Sequence, residues 1–178
     1  MADGRIEEAL LHARQAERLE PESLVLKTRT ALTLLYCRKF GAGIGYLRDI
    51  LEVSPADYSA NLWYSRALCY SGRLEEAAAI AGRVYSATGE TNALAAMGYA
   101  EALAGHNAAA AKIASQLEAC AKERYVRPTG LAAINVALGR MDAAAGCISA
   151  AIQEGDYNFG WSKTDRRWDP LRGKVPGL

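Results

Sequence analysis

The sequence predicts an all-α protein, a curved stack of antiparallel helix pairs, in a chain of 178 residues. Two observations predict this fold. A short segment that opens a helix recurs with starts 34, 34, 33 and 34 residues apart, at Gly4, Arg38, Gly72, Gly105 and Gly139. Apolar and small residues then follow each start at helical spacing, which draws one apolar stripe down each helix.

Each helix follows from this register. The first helix is expected alone, at about 4–19, because no helical stretch precedes it in the sequence. Pairs then follow at about 23–37 and 41–53, 57–71 and 74–87, 90–104 and 107–122, and 126–138 and 141–153. Glycines crowd one helix start, so the sequence predicts a local kink or a late start there, at Gly41, Gly43 and Gly45.

Small residues stand at fixed places on both helices of a pair. Seven places before each turn the sequence has Ala31, Ser65, Gly98 and Ala132. Five places after each start it has Ala9, Gly43, Ala77, Ala110 and Ala144. Because small side chains let two backbones come close, we expect these positions to lie between packed helices.

This pattern resembles the tetratricopeptide repeat (TPR) family from Gly4 to about Asp156. Pro21 and Pro55 agree with the closing proline of that repeat, whereas the family's large aromatic residue early in the first helix is mostly absent. The resemblance implies a right-handed superhelix of about four and a half repeats. The array would cover residues 1–156, as a half repeat at 4–23 and repeats at 24–57, 58–90, 91–124 and 125–156.

The tail, residues 157–178, leaves the repeat pattern and interleaves aromatic with basic residues. Such a segment can stack on nucleic acid. We favour a cap instead, in which Trp161, Trp168 and Leu171 cover the apolar face of the last helix and the arginines stay at the surface. The closing WDPLR resembles the cap of bacterial multidomain TPR proteins that carry a DNA-binding, kinase or nucleotide-cyclase domain.

Charge and composition disfavour several partners. Lys and Arg total 21 against 20 Asp and Glu, a net charge of +1, so nothing attracts the chain generally to nucleic acid or to anionic membrane. The beginning of the sequence carries acids and no apolar core of signal-peptide length, and no long stretch is free of charges. We therefore expect a soluble, cytoplasmic protein without nucleic-acid or membrane partners.

Catalytic and metal sites are not expected. His12 and His106 are the only histidines, and nearly three repeats separate them. The four cysteines stand singly, without the C-x-x-C spacing of zinc or redox sites, at Cys37, Cys69, Cys120 and Cys147. The sequence therefore predicts that the protein is not an enzyme and that it needs no cofactor.

The resemblance implies a peptide-binding groove on the concave face. The positions that point into it in TPR proteins are here Thr28, Leu32, Leu35, Tyr36, Leu62, Arg66, Tyr70, Asn92, Tyr99 and Leu103. This set is mostly apolar, and it suits an apolar or weakly charged peptide or helix. Tyr36 and Tyr70, one repeat apart, are expected to stack as a ladder. Phe159 or Trp161 of the tail are alternative occupants.

A carboxylate clamp of the Hsp70/Hsp90 type is excluded by the same register. Thr28 and Leu32 stand where that clamp has its first Lys and Asn. Two functions remain open: a protein-interaction module, or a regulatory or dimerisation domain excised from a larger signalling protein. The second would use the half repeat, whose stripe lacks a preceding helix, for a homodimer through Ile6, Ala9, Leu10 and Ala13.

Overall fold

The computed structural model describes residues 5–156, 162–175 and 178. Within them the chain forms nine α-helices and one 3₁₀ helix, with no β-strand. The α-helices are α1 (Arg5–Leu19), α2 (Leu24–Tyr36), α3 (Phe40–Val53), α4 (Tyr58–Tyr70), α5 (Leu74–Thr88), α6 (Thr91–Leu103), α7 (Asn107–Cys120), α8 (Pro128–Ala137) and α9 (Met141–Gln153). The 3₁₀ helix spans Arg166–Leu171. The predicted fold is confirmed, and each α-helix ends within two residues of its expected bounds.

Consecutive helices pack as antiparallel pairs, α2 with α3, α4 with α5, α6 with α7 and α8 with α9. The first helices of successive pairs also contact each other, α2 with α4, α4 with α6 and α6 with α8. We call α2, α4, α6 and α8 the inner helices. Because they form a continuous surface across the repeats, they define the concave face of the stack.

The turn inside each pair has one repeated backbone geometry. Gly72, Gly105 and Gly139 have positive φ angles of 77°, 84° and 74°, and Arg38 takes the same place with a φ of 59°. A side chain in this left-handed region costs roughly 1–2 kcal/mol, which explains why glycine stands at the other three turns. The four turns therefore share one backbone conformation, which is unfavourable for the non-glycine residue Arg38.

Small residues lie where the helices approach most closely, as the sequence predicts. Ala31, Ser65 and Ala132 are almost fully buried. A methyl group on Gly98 would lie 2.7 Å from side-chain atoms of both Ile113 and Ile134. Replacing any of these residues by a larger one would push two helices apart.

The contacts of Gly43 explain why the glycine cluster lies inside a helix. The predicted late helix start is wrong, because α3 begins at Phe40, before all three glycines. A methyl group at Gly43 would lie 2.6 Å from Leu35 Cδ2 and 3.3 Å from the carbonyl oxygen of Ala31. The close packing of α3 on α2 therefore offsets the low helix propensity of glycine.

The buried apolar residues form two clusters. The smaller one joins α2, α3 and α4 around Leu47 and Ile50. The larger one runs from α4 to α9 and includes Trp168, Leu171 and Val175 of the tail. The tail is thus part of the main core of the stack. None of the helices in the described residues has the length and apolar character needed to cross a membrane.

Candidate functional site on the concave face

The tail folds back over the concave face. Its 3₁₀ helix packs chiefly against α8, and Trp168 and Leu171 have no exposed surface. The tail therefore rests on an inner helix and shares a buried cluster with Ala144 and Ile148 of α9. Because Trp168 is fully buried, it cannot stack on the bases of a nucleic acid.

Tyr70 marks the point where the tail meets the middle of the stack. Its hydroxyl donates a hydrogen bond of 2.8 Å to Asp165 Oδ1. Arg166 Nη1 donates to the carbonyl oxygen of Tyr70 over 2.9 Å. The guanidinium of Arg166 also lies over the ring of Phe40, whose centroid is 5.2 Å from that of Tyr70. The end of α4 is therefore enclosed by tail residues.

Asp165 and Arg167 form a buried ion pair beneath this contact. Arg167 Nη2 donates to Asp165 Oδ2 over 2.7 Å, and its backbone N–H donates to Oδ1 over 3.0 Å. Burial opposes ionisation of Asp165, but the charge and hydrogen bonds of Arg167, helped by Arg66, lower its pKa to about 2. Asp165 in turn keeps the pKa of Arg167 above its usual value although burial lowers it. Both groups are therefore charged at neutral pH.

A second, exposed ion pair ties the tail to the first turn of the array. Arg38 Nη2 donates to both carboxylate oxygens of Asp169, each over 2.9 Å. Asp169 also accepts from Arg172 Nε over 2.9 Å. Arg38, the residue with positive φ in this turn, therefore also contacts the tail.

The rest of the concave face encloses an open pocket between α4, α6 and α8. Its volume is about 160 Å³. The side chains that give it its chemistry are Tyr58, Leu62, Trp63 and Arg66 of α4, Asn92 and Tyr99 of α6, Arg127 and Thr129 at the start of α8, and Arg167 of the tail. We call this site the α4–α6–α8 pocket.

Aromatic and cationic groups stack along one wall of this pocket. The Arg66 guanidinium lies 4.3 Å from the centroid of the Trp63 ring, and Trp63 meets Tyr36 edge to face at 6.1 Å. Burial raises the pKa of Tyr36, and the nearby Arg66 opposes that rise. A cation held over an indole ring is stabilised by the ring's electron density, so the position of Arg66 is well defined.

The opposite wall carries a polar network. Thr129 Oγ1 donates to Asp156 Oδ2 over 2.7 Å. Arg127 Nη1 lies 3.7 Å from the other carboxylate oxygen of Asp156. This network fixes the start of α8 and presents Arg127 to the pocket.

The predicted groove residues fall into two groups. Four of them line the α4–α6–α8 pocket, namely Leu62, Arg66, Asn92 and Tyr99. The other six lie outside its lining: Thr28, Leu32, Leu35, Tyr36, Tyr70 and Leu103.

Most residues of the second group have partners within the chain. The Thr28 hydroxyl donates to the carbonyl oxygen of Leu24 inside α2, over 2.8 Å. Leu35 is buried against Gly43 of α3, so its assignment to the groove is wrong. Tyr70 is covered by the tail, and its pKa is raised well above the usual value, first of all by burial.

Leu32 is half-buried, and Leu103 at the end of α6 is exposed. The predicted tyrosine ladder is replaced by other ring contacts: Tyr36 meets Trp63, and Tyr70 meets Phe40. Phe159 and Trp161, the alternative occupants, lie outside the described residues.

Sequence reasoning missed Asp165, Arg167, Trp63 and Arg127. The expectation that the tail arginines stay at the surface is wrong for Arg167, which is 6% exposed. The sequence does hint at this buried pair. Asp165 is followed directly by two arginines, and its carboxylate can form an ion pair with one of them. Trp63 follows Leu62 directly but falls between the positions of the family register.

The apolar stripe of α1, the helix of the half repeat, is partly covered by α2. Leu10 is 3% exposed, so it belongs to the interior and not to a self-association surface. Ile6, Ala9 and Ala13 are half-buried. Helix α2 supplies this cover by packing against α1.

No cluster of three His, Cys, Asp or Glu side chains that could hold a metal ion occurs in the described residues. Burial raises the pKa of Cys69, the thiol that lines the pocket, to about 12, so it is protonated at neutral pH. The pocket therefore offers stacking, apolar contact and positive charge to a ligand.

Solved structures with this architecture include two TPR proteins. The thermophilic TPR protein TTC0263 from Thermus thermophilus superposes with a TM-score of 0.67 at 17% identity, over 92% of each chain. A tetratricopeptide repeat protein from Parabacteroides merdae gives 0.57 at 15% identity, over 94% of this chain and 66% of that one. No protein-family model matches the sequence, and no curated protein sequence matches it significantly. The chain therefore has the TPR fold, that of a helical repeat solenoid.

Proposed function

We propose that this protein is an interaction module that binds an apolar or weakly charged peptide or helix in the α4–α6–α8 pocket, and that it is not an enzyme. The observation that carries the proposal is the pocket itself, which is concave, partly apolar and lined by Trp63, Tyr99 and arginines. Aromatic and arginine side chains are the types that dominate binding energy at protein interfaces. The cytoplasmic location expected from the sequence remains a prediction.

The geometry favours a ligand segment that inserts one or two side chains. Leu62 and Trp63 are half-buried and supply apolar contact, while Asn92 offers amide groups for hydrogen bonds to a peptide backbone. A cavity of about 160 Å³ holds a side chain, whereas a whole helix would lie across its mouth. The tail blocks the neighbouring part of the concave face, so the ligand is confined to the open part.

Selection from a phage-displayed library of random dodecapeptides tests the proposal. The immobilised protein should enrich related sequences rich in apolar residues. Leu62→Lys places a charge in the pocket and should abolish their binding. Leu19→Lys is the matched control, since Leu19 is 79% exposed on α1, outside the pocket.

Two results would overturn the proposal. Selected peptides that bind the Leu62→Lys protein as well as the parent would place binding elsewhere. Failure to enrich any sequence family above a control surface would remove the support for a peptide-binding role.

A regulatory or dimerisation role remains the alternative. The observation in its favour is that Leu11 and Leu19 of α1 are 67% and 79% exposed, although Leu10 is covered. Exposed apolar side chains are frequent on monomers, so this observation supports the alternative less strongly. Sedimentation of the parent beside a Leu11→Lys, Leu19→Lys double variant distinguishes them: a dimer that the variant loses would favour self-association.

A further inference from the structure

The charge of the α4–α6–α8 pocket differs from what the repeat register predicts. The register placed one cation, Arg66, in an apolar groove. The structure adds Arg127 and Arg167, and no Asp or Glu is among the described residues that line the pocket. A partly enclosed site with this lining attracts anions.

Two of the three arginines have their charge balanced by carboxylates that do not line the pocket. Arg167 pairs with Asp165 at 2.7 Å, and Arg127 lies 3.7 Å from Asp156. Arg66 contributes to the field at Asp165, but the hydrogen bonds to that carboxylate come from Tyr70 and Arg167. In the described part of the chain no carboxylate forms an ion pair with Arg66, which leaves the pocket with about one positive charge.

Arg66 also has a donor without an acceptor. Its Nη1 is buried and makes no hydrogen bond to any described residue. A buried donor left unsatisfied is costly, and the cost is larger for a charged group. Because Nη1 itself has no accessible surface, an acceptor on an anionic ligand satisfies it only when the guanidinium turns toward the pocket.

The stacked guanidinium suits a carboxylate. Arg66 lies over the Trp63 ring at 4.3 Å, and a planar guanidinium in such a contact keeps its hydrogen-bonding edges free of the ring. A carboxylate matches such an edge with two parallel hydrogen bonds. A phosphate monoester would bring a charge of about −2, which the single uncompensated cation does not balance.

We propose that the α4–α6–α8 pocket binds the side-chain carboxylate of an Asp or Glu in the partner peptide through Arg66, with an adjacent apolar residue of that peptide on Leu62 and Trp63. This inference rests on the proposed function and specifies its ligand chemistry. It differs from the Hsp70/Hsp90-type clamp, whose positions are occupied by other residue types, because here one arginine on α4 receives one carboxylate.

Fluorescence polarisation with two pools of acetylated, amidated octapeptides tests the proposal. Both pools carry mixed Leu, Ile, Val and Tyr, with a central Glu in one and a central Gln in the other. The protein should bind the Glu pool about tenfold more tightly at low salt. Arg66→Gln should remove the preference, and Arg66→Lys should retain part of it. Arg83→Gln, which changes an exposed arginine of the outer helix α5, should leave it intact.

Each other outcome has a defined meaning. Equal binding of both pools, lost in Leu62→Lys, would overturn the carboxylate proposal and leave the proposed function standing. Binding of neither pool would contradict both. A pool with central phosphoserine that binds more tightly than the Glu pool would overturn the choice of a carboxylate. Retention of the preference in an Arg66→Gln protein with unchanged helical content would remove Arg66 from the site.

Discussion

The concave face has a filled part and an open part, although the same inner helices build both. At the filled part, the tail covers the end of α4 and buries the Tyr70 hydroxyl against Asp165. At the open part, the same helix presents Leu62, Trp63 and Arg66 to a pocket. One helix thus contacts the tail at its end and lines the pocket along its middle, and the tail determines which part of the concave face a ligand can reach.

This difference shows that the tail belongs to the site as well as to the core. Asp165 contacts Tyr70 in the filled part and forms an ion pair with Arg167, which lines the open pocket. One ion pair of the tail therefore contributes to both parts. Variants in the two parts should therefore differ: stability should depend on the filled part and binding on the open part.

Replacing the buried tail tryptophan should have the largest effect. Trp168→Ala removes a fully buried side chain from the main core and should lower the free energy of unfolding by about 3–5 kcal/mol. Trp63→Ala, the control in the open part, should cost less because Trp63 is only half-buried. Urea unfolding followed by circular dichroism measures both. Equal losses would contradict the division.

Ionisation of Asp165 should make the free energy of unfolding depend on pH. Its folded-state pKa of about 2 lies below the ordinary value of 3.8, so its contribution is present above about pH 4 and is lost as the pH falls through 2. Asp165→Asn lacks this contribution and leaves Arg167 without its charged partner. The difference in unfolding free energy between the protein and this variant should therefore narrow as the pH is lowered from about 4 to 2. A difference that stays constant would show that Asp165 is not ionised in this pair.

The exposed pair between the tail and the first turn should have the smallest effect. Arg38→Asn removes the bonds to Asp169 and keeps a residue type that tolerates positive φ. Because both partners are partly exposed, the change in unfolding free energy should stay below about 1 kcal/mol. Thermal unfolding compares the variant with the parent. A loss as large as that of Trp168→Ala would mean that the surface contact, rather than the buried core, holds the tail.

The fold was predictable because its signals are local and repeated. The spacing of the turns and the small residues such as Ala31 and Ala132 depend only on neighbouring helices, and each repeat provides the same pattern again. The late start expected from the glycine cluster of α3 was wrong for a related reason. Helix propensity counts three glycines as unfavourable, whereas the contact of Gly43 with Leu35 depends on how α3 packs against α2.

The site was predictable only in part. Leu62, Arg66, Asn92 and Tyr99 follow the helical register, and all four line the pocket. The tail contact joins Tyr70 to Asp165, 95 residues away in the sequence, and no periodic pattern marks such a pair. The same contact explains why Tyr70, a central groove residue by register, is covered in the structure.

Hydrogen exchange of the tail amides measures whether the tail is an integral part of the concave face. The backbone N–H of Arg167 donates to Asp165 Oδ1, and that of Trp168 donates to the Asp165 carbonyl oxygen over 3.2 Å. If the tail is an integral part of the concave face, these two amides should exchange within about tenfold of the rate of a core amide such as that of Leu94. Exchange at the rate of an unstructured peptide, with the amide of Leu94 still protected, would show that the tail does not belong to the folded concave face.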